Sequence, residues 1–217
     1  MAEAKNGDPR LDAAGLERGR RHLRRRDPRL APVISKVGRC GIEPLGDPYR
    51  ALLRSVIYQQ LAGSAASAIA GRLRARYRGR YPRPEILLEA SDAELRGVGL
   101  SRQKTATLRA VATAFSDGTL DARRLRRMDD TAVIEAVTQL RGIGEWTAHM
   151  LLIFSLGRPD VLPVGDYGVR TGAMHLYGLD DLPKPAELEQ LTATWRPWRS
   201  VGSWYLWRHE AILPPER

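Results

Sequence analysis

The stretch Leu140–Met150, LRGIGEWTAHM, decides how this chain is read. The residues on both sides have helical character, AVIEAVTQ before it and AHMLLIFSL after it, so two glycines around one isoleucine mark a turn between helices. Glycine at 142 and 144 permits positive φ and removes Cβ, which lets the backbone approach another surface closely. Ile143 between them can point inward and pin the turn to the core. The amides of Gly142 and Gly144, with those of the next helix's first turn, then face outward together. Such a group of dipoles binds an anion and can grip a DNA phosphate without reading sequence. The same letters also suit a plain interhelical turn, and the residues alone leave both readings open. A near-copy, LRGVG, lies upstream at Leu95–Gly99. There Gly97, Gly99 and Ser101 make a turn and a helix start, and Lys104 sits one turn into that helix, where it can reach a phosphate. That turn is either a second backbone contact or a tight turn facing the core.

Outward from these turns the pattern stays helical, with no train of alternating strands, and it predicts an all-α chain of roughly ten short helices. LDAAGLERGRRHLRRRD reads as a basic helix ended near Pro28, and LAPVISKVG as a shorter apolar one. DPYRALLRSVIYQQLAGSAASAIAGRLRARYRG is a long helical region with a break at Leu61-Ala62-Gly63-Ser64. Ser91 and Ser101 are placed to cap helices, and Asp129 or Asp130 starts the helix that enters the opening stretch. After Leu156 the texture changes to a Pro/Gly-rich loop, GRPDVLPVGDYG, and helix resumes at about Tyr167.

Composition bounds the function. The chain has 217 residues, enough for one domain or two closely joined lobes. Its longest apolar runs fall far short of the ~20 residues that span a bilayer. The start, MAEAKNGDPR, lacks the apolar core of a signal peptide, so a cytoplasmic location is expected, at the nucleoid in a bacterium. One cysteine, Cys40, excludes an intrachain disulfide framework and a cysteine-ligated iron–sulfur cluster. Thirty-five Lys and Arg against 25 Asp and Glu give a net charge of +10. Arginine carries most of it, and its planar fork suits phosphate. A nucleic-acid partner is one reading of this excess; an arginine-favouring codon bias is the other. The Arg-rich run 18–26 reads as the solvated face of a helix.

LRGIGEWTA resembles the helix-hairpin-helix element of the base-excision DNA glycosylases, usually L-P-G-[IV]-G-x-x-T-A, with Arg141 in place of the proline. In that superfamily the hairpin is followed by a Gly/Pro-rich loop and an aspartate, and the matching residue here is Asp166 in VGDYGVRTG. Its position directly before Tyr167 also suits an N-cap. A carboxylate there has a chemical purpose, because cleaving an N-glycosidic bond makes the sugar oxocarbenium-like and positive. Relatives with lyase activity carry a lysine after the hairpin; here the position is Trp146, so the resemblance implies a monofunctional enzyme that uses water. Three more stretches resemble the DNA-3-methyladenine glycosylase II (AlkA-like) family in its short form, without the N-terminal β lobe: DPYRALLRSVIYQQLAGSAASAI, GVGLSRQKTATL and WRPWRSVGSWYLWRHE.

From this resemblance follow specific expectations. The fold is a two-lobed helix-hairpin-helix glycosylase with its active site in the cleft between lobes. Residues 1–10 are a flexible start, 48–160 form the lobe carrying the hairpin at 140–144, and 11–47 with 161–217 form the lobe carrying Asp166. Asp166 is catalytic, and Trp146, Trp207, Tyr58 and Met150 line the base pocket. Leu61 is the apolar wedge that fills the gap left by a flipped base. Gly142, Gly144, Arg141, Thr147, Gly97, Gly99, Lys104 and Gln60 contact the DNA backbone; of Gln59 and Gln60, one touches DNA and the other holds the loop. Trp198 and Trp204 belong to the core. No cofactor is expected and no metal beyond a monovalent cation at the carbonyls of Leu140 and Ile143. The partner is double-stranded DNA containing alkylated purines such as 3-methyladenine and 7-methylguanine, bound by a monomer away from any membrane. The competing class is a non-catalytic helix-hairpin-helix protein that binds DNA or senses lesions, which would have no use for Asp166.

Overall fold

The computed structural model describes residues 11–61 and 63–212, with side chains as far as residue 209; the expected flexible segment 1–10 lies outside the described residues. Among the described residues there are thirteen α-helices, one 3-10 turn and no strand. No helix among them is long and apolar enough to cross a membrane. The chain divides into two compact units, Leu45–Leu156 and the described residues on either side of it.

The inner unit is built on α3 (Pro48–Tyr58). Asp47 caps it by accepting the Arg50 amide, and proline at its first position has no amide to leave unsatisfied. Eight of its eleven residues are buried, so it serves as the hub against which α4 (Gly63–Arg76), α7 (Arg102–Ser116), α8 (Ala122–Arg127) and α10 (Glu145–Phe154) pack. The long helical region predicted from sequence is therefore two helices, separated at the expected break. Between α4 and α7 lie two single-turn helices, α5 (Pro84–Glu89) and α6 (Asp92–Gly97). Ser91 starts α6 with a reciprocal capping box to Glu94, and Ser101 caps α7 at the Lys104 amide. Asp129 caps α9 (Asp130–Thr138), which leads into the opening stretch. In α10 every residue from Thr147 to Ile153 is buried, which explains why its apolar pattern runs all round rather than along one stripe.

The outer unit contains α1 (Ala13–Arg26), α2 (Leu30–Val37), α11 (Tyr167–Tyr177), α12 (Pro185–Leu191), the turn Ala193–Trp195 and α13 (Arg199–Ile212). Its core is aromatic: Trp195, Trp198, Trp204 and Tyr205 are buried, in keeping with the core role expected for Trp198 and Trp204. Asp27 sits among them. One of its oxygens accepts the amides of Arg29 and Leu30 and starts α2, while the other accepts the Tyr177 hydroxyl at 2.6 Å and the Trp195 indole at 2.7 Å. A buried carboxylate with four donors is fully compensated, which ties α1, α2, α11 and Trp195 together.

Helices α11 and α13 pack closely because α11 presents small residues at the contact. A Cβ at Gly172 would lie 2.9 Å from both Cβ and the carbonyl oxygen of Leu206. One turn earlier, a Cβ at Gly168 would lie 3.0 Å from Cδ1 of Trp207. These two glycines, four apart on one face, set how near α13 comes to the N-terminus of α11, where Asp166 is.

Candidate DNA-binding turn and active-site aspartate

Each unit contributes one set of expected functional residues. In the inner unit the hairpin leaves α9 at Thr138 and re-enters helix at Glu145. Gly142 takes φ +82°, and a Cβ there would overlap the Thr107 side chain of α7, so both the backbone and the space demand glycine. Gly144 is extended, with φ −104°, and faces open space. Ile143 is buried and its amide donates to Leu140 O at 3.0 Å, which leaves the amides of Gly142 and Gly144 without an acceptor among the described residues. These two amides lie at the start of the ten-residue α10, where the helix dipole favours negative charge. Arg141 is exposed beside them.

The turn is held from behind. The Gln59 side-chain amide donates to Gly142 O at 3.0 Å and to Thr147 Oγ1 at 2.9 Å. Of the two glutamines, Gln59 therefore holds the loop, while Gln60 is exposed with φ +53° and Leu61 beyond it is 40% exposed rather than part of the core. Two residues expected at the DNA backbone are placed otherwise. Thr147 is only 1% exposed, and its hydroxyl receives Gln59. Lys104 donates to Ile57 O at 2.7 Å and Gln59 O at 2.9 Å, capping the C-terminal carbonyls of α3; burial pushes its ammonium below the usual lysine range. A motif shows that a Lys or Thr stands near a turn, but not that a neighbouring helix end has already engaged its donors.

The upstream LRGVG is also built differently. Gly97 closes α6, the Gly99 amide donates to Arg96 O at 2.9 Å, and the Arg72 guanidinium donates to Val98 O at 2.9 Å. Gly99 has no amide left for a phosphate, so the expected contact there gives way to the other reading, a tight turn on the core. Tyr58 is half-buried, with Arg54 stacked 4.6 Å from its ring centre, a cation that sequence pattern gave no hint of beyond the four-residue helical spacing. Trp146 is half-buried in the first turn of α10, and Met150 is buried. Among the described residues no group of three or more His, Cys, Asp or Glu could hold a metal. Of the carbonyls of Leu140 and Ile143 expected at a monovalent cation, Leu140 O already accepts the Ile143 amide.

In the outer unit Asp166 is 8% exposed and caps the eleven-residue α11. Its Oδ1 accepts the Val169 amide at 2.8 Å and the Trp207 indole N–H at 2.8 Å. The N-cap reading and the pairing with Trp207 are thus both satisfied by one oxygen. Gly168 makes this possible, since a Cβ there would meet both Trp207 and Asp166 Oδ1; sequence reasoning missed it, although a glycine two residues past the aspartate was the available signal. The loop that delivers Asp166 is clamped by Asp160, whose carboxylate takes Arg196 and Arg199 and whose carbonyl also accepts Arg199. Tyr167, next to Asp166, is 71% exposed.

A Gly-x-Gly hairpin followed along the chain by a capped, indole-bonded aspartate points to a class of DNA repair protein. Residues 53–197 match the HhH-GPD superfamily of base excision DNA repair proteins. The chain is 35% identical over 164 residues to DNA-3-methyladenine glycosylase 1 of Schizosaccharomyces pombe, covering 75% of this chain and 72% of that protein. Among solved structures, the 3-methyladenine DNA glycosylase of the same yeast in complex with abasic DNA is similar at TM-score 0.86 and 31% identity, covering 92% of this chain and all of that one. A DNA-3-methyladenine glycosidase of Bacillus halodurans is similar at TM-score 0.74 and 36% identity, covering 89% of each chain. The chain belongs to the HhH-GPD superfamily, on its DNA-3-methyladenine glycosylase branch.

Proposed function

We propose that this chain hydrolyses the N-glycosidic bond of alkylated purines, 3-methyladenine and 7-methylguanine among them, in double-stranded DNA, with Asp166 as the catalytic carboxylate and without a lyase step. The observation that carries the reading is Asp166 itself: in a member of a DNA glycosylase family, it is fixed by the Val169 amide and the Trp207 indole at the head of α11. A 3-alkylated adenine is already cationic. When its bond to C1′ breaks, the electron pair leaves with the base, which becomes neutral, and the positive charge passes to the sugar. A fixed carboxylate stabilises that sugar cation, water adds its oxygen to C1′, and its proton leaves to solvent. No protein acid is needed for such a leaving group. Trp146 at the position of the lyase lysine supports the hydrolytic course, because no amine is offered to C1′ there.

The non-catalytic alternative is disfavoured by the same aspartate, since an asparagine or serine would cap α11 equally well. That equivalence also makes the test clean. Asp166→Asn keeps a good N-cap, so the protein should fold and hold DNA while base release from methylated DNA falls by at least about 10²-fold, the order expected for removing one electrostatic contact to the transition state. Near-normal release in the variant would overturn the assignment of Asp166. Strand nicking by the wild-type protein without added alkali would overturn the hydrolytic course.

A further inference from the structure

Helix α3 ends at Tyr58, and its last carbonyls have no partner within the helix. Such an end is commonly closed by a glycine in the left-handed region. Here the chain instead leaves through Gln59, with ψ 130°, and the left-handed residue is Gln60, a non-glycine at φ +53°. The surroundings must hold that conformation. They do so through two side chains. Lys104, from the first turn of α7, donates to Ile57 O and to Gln59 O. Gln59 then donates to Gly142 O of the hairpin and to Thr147 Oγ1 of α10. One short chain of hydrogen bonds therefore joins α7, the root of the Gln60-Leu61 loop, the hairpin and α10.

We propose that Lys104 is a positioning residue which, through Gln59, fixes the exposed Gln60-Leu61 loop to the hairpin, so that the phosphate grip and the apolar wedge act on DNA as one rigid piece. This rests on the reading of Leu61 as a wedge and of the hairpin as a grip. Lys104 reaches past the helix end itself to Gln59 O, and that is the residue whose amide holds the turn. If Lys104 were only a cap, α3 would require the Ile57 O contact alone. If it were a phosphate ligand, its donors would not be directed at protein carbonyls. A half-buried ammonium loses part of its hydration, and two short bonds to the root of one loop compensate that cost.

The test uses a duplex carrying a tetrahydrofuran abasic analogue with 2-aminopurine on the opposite strand, so that insertion into the stack is read as fluorescence without any base being released. Lys104→Met keeps the length of the stem and removes the donors. At saturating protein it should lose at least threefold of the wild-type fluorescence change, to the level of Leu61→Ala, while the dependence of affinity on salt keeps its slope. Gln59→Leu should do the same, and the double variant should be no worse than the poorer single one. Should Lys104→Met fail to fold by circular dichroism, Gln59→Leu carries the test. A full fluorescence change in both variants would reduce Lys104 to a cap. A slope shallower by about one unit, with insertion intact, would make it a phosphate contact. An unaffected Leu61→Ala would remove the wedge and the proposal with it. Failure of wild-type protein to release methylated bases would strike the glycosylase reading instead, and the fluorescence arm would be untouched by it.

Discussion

Leu95–Gly99 and Leu140–Gly144 share four of five letters and an interhelical position, yet they turn the chain in different ways. In LRGVG the helix α6 runs on through Gly97, and the second glycine, Gly99, takes the positive φ of +100°. In LRGIG the helix has already ended at Thr138, and the first glycine, Gly142, turns at φ +82° while Gly144 stays extended. The consequence lies in the amides. Gly99 N–H is engaged by Arg96 O and Val98 O by Arg72, so the upstream turn is closed on itself. Among the described residues the hairpin's own closing bond is Ile143 N–H to Leu140 O, and the amides of Gly142 and Gly144, at the start of a ten-residue helix, have no backbone acceptor. Where the preceding helix stops decides whether a Gly-x-Gly turn engages its own amides or leaves them without a backbone acceptor.

Alanine at the two turning glycines should separate them most widely. At Gly142 the left-handed backbone costs about 1–2 kcal/mol and the overlap with Thr107 adds about 1–3 kcal/mol, so Gly142→Ala should lose about 2–5 kcal/mol in urea unfolding and most of its DNA affinity. At Gly99 a Cβ would meet Arg72 Nη2 at 2.7 Å and Ile69 Cγ1 at 3.2 Å, side-chain atoms that a small shift relieves while Arg72 Nε stays on Val98 O. Gly99→Ala should cost about 1–2 kcal/mol from backbone strain, leaving DNA affinity unchanged. Equal losses of affinity in the two variants would mean that the upstream turn is a second grip after all.

Much of this was legible in sequence. The hairpin, the break after Gln60, the Ser91 and Ser101 caps and Asp166 before α11 all depend on residues within a few positions of one another, so local physics carries them. The all-helical fold followed from periodicity for the same reason. What was not legible depends on long-range partners. Lys104 and Thr147 sit in a motif that suggests phosphate, but their donors and acceptors are claimed by Ile57 of α3 and by Gln59, 47 and 88 residues away in the chain. Gly97 and Gly99 look like Gly142 and Gly144 because the phase of the preceding helix is not written in the five letters. Gly168 and Gly172 were passed over because a small-residue face has meaning only once α13 is known to lie against it.

Gly144→Ala is a milder and cleaner probe. Its φ of −104° suits any residue and no atom lies within 4 Å of the added Cβ, so stability should stay within about 0.5 kcal/mol of wild type. The methyl group would nevertheless stand where a phosphate approaches the amides, and affinity for duplex DNA should fall about tenfold, or roughly 1.4 kcal/mol. Unchanged affinity, measured by anisotropy, would show that no phosphate comes close to this turn. The arginines preceding the two turns give a smaller contrast. Both Arg141 and Arg96 are exposed, but only Arg141 adjoins a turn whose glycine amides have no backbone acceptor among the described residues. Arg141→Ala should reduce the salt slope of binding by about one unit, and Arg96→Ala should leave it alone.

The smallest effect, at Gly97, has the opposite sign. Gly97 is the last residue of α6, its φ is not among the positive ones, and no atom lies within 4 Å of a Cβ built there. Alanine in that place restricts the unfolded chain and favours helix, so Gly97→Ala should be neutral or stabilise by up to about 1 kcal/mol, with DNA affinity unchanged. Its counterpart by alignment of the letters is Gly142, where the same substitution should be the most damaging of the series. If Gly97→Ala instead destabilised the protein or weakened DNA binding, α6 would have to end before residue 97, and the upstream turn would then share the open geometry of the hairpin.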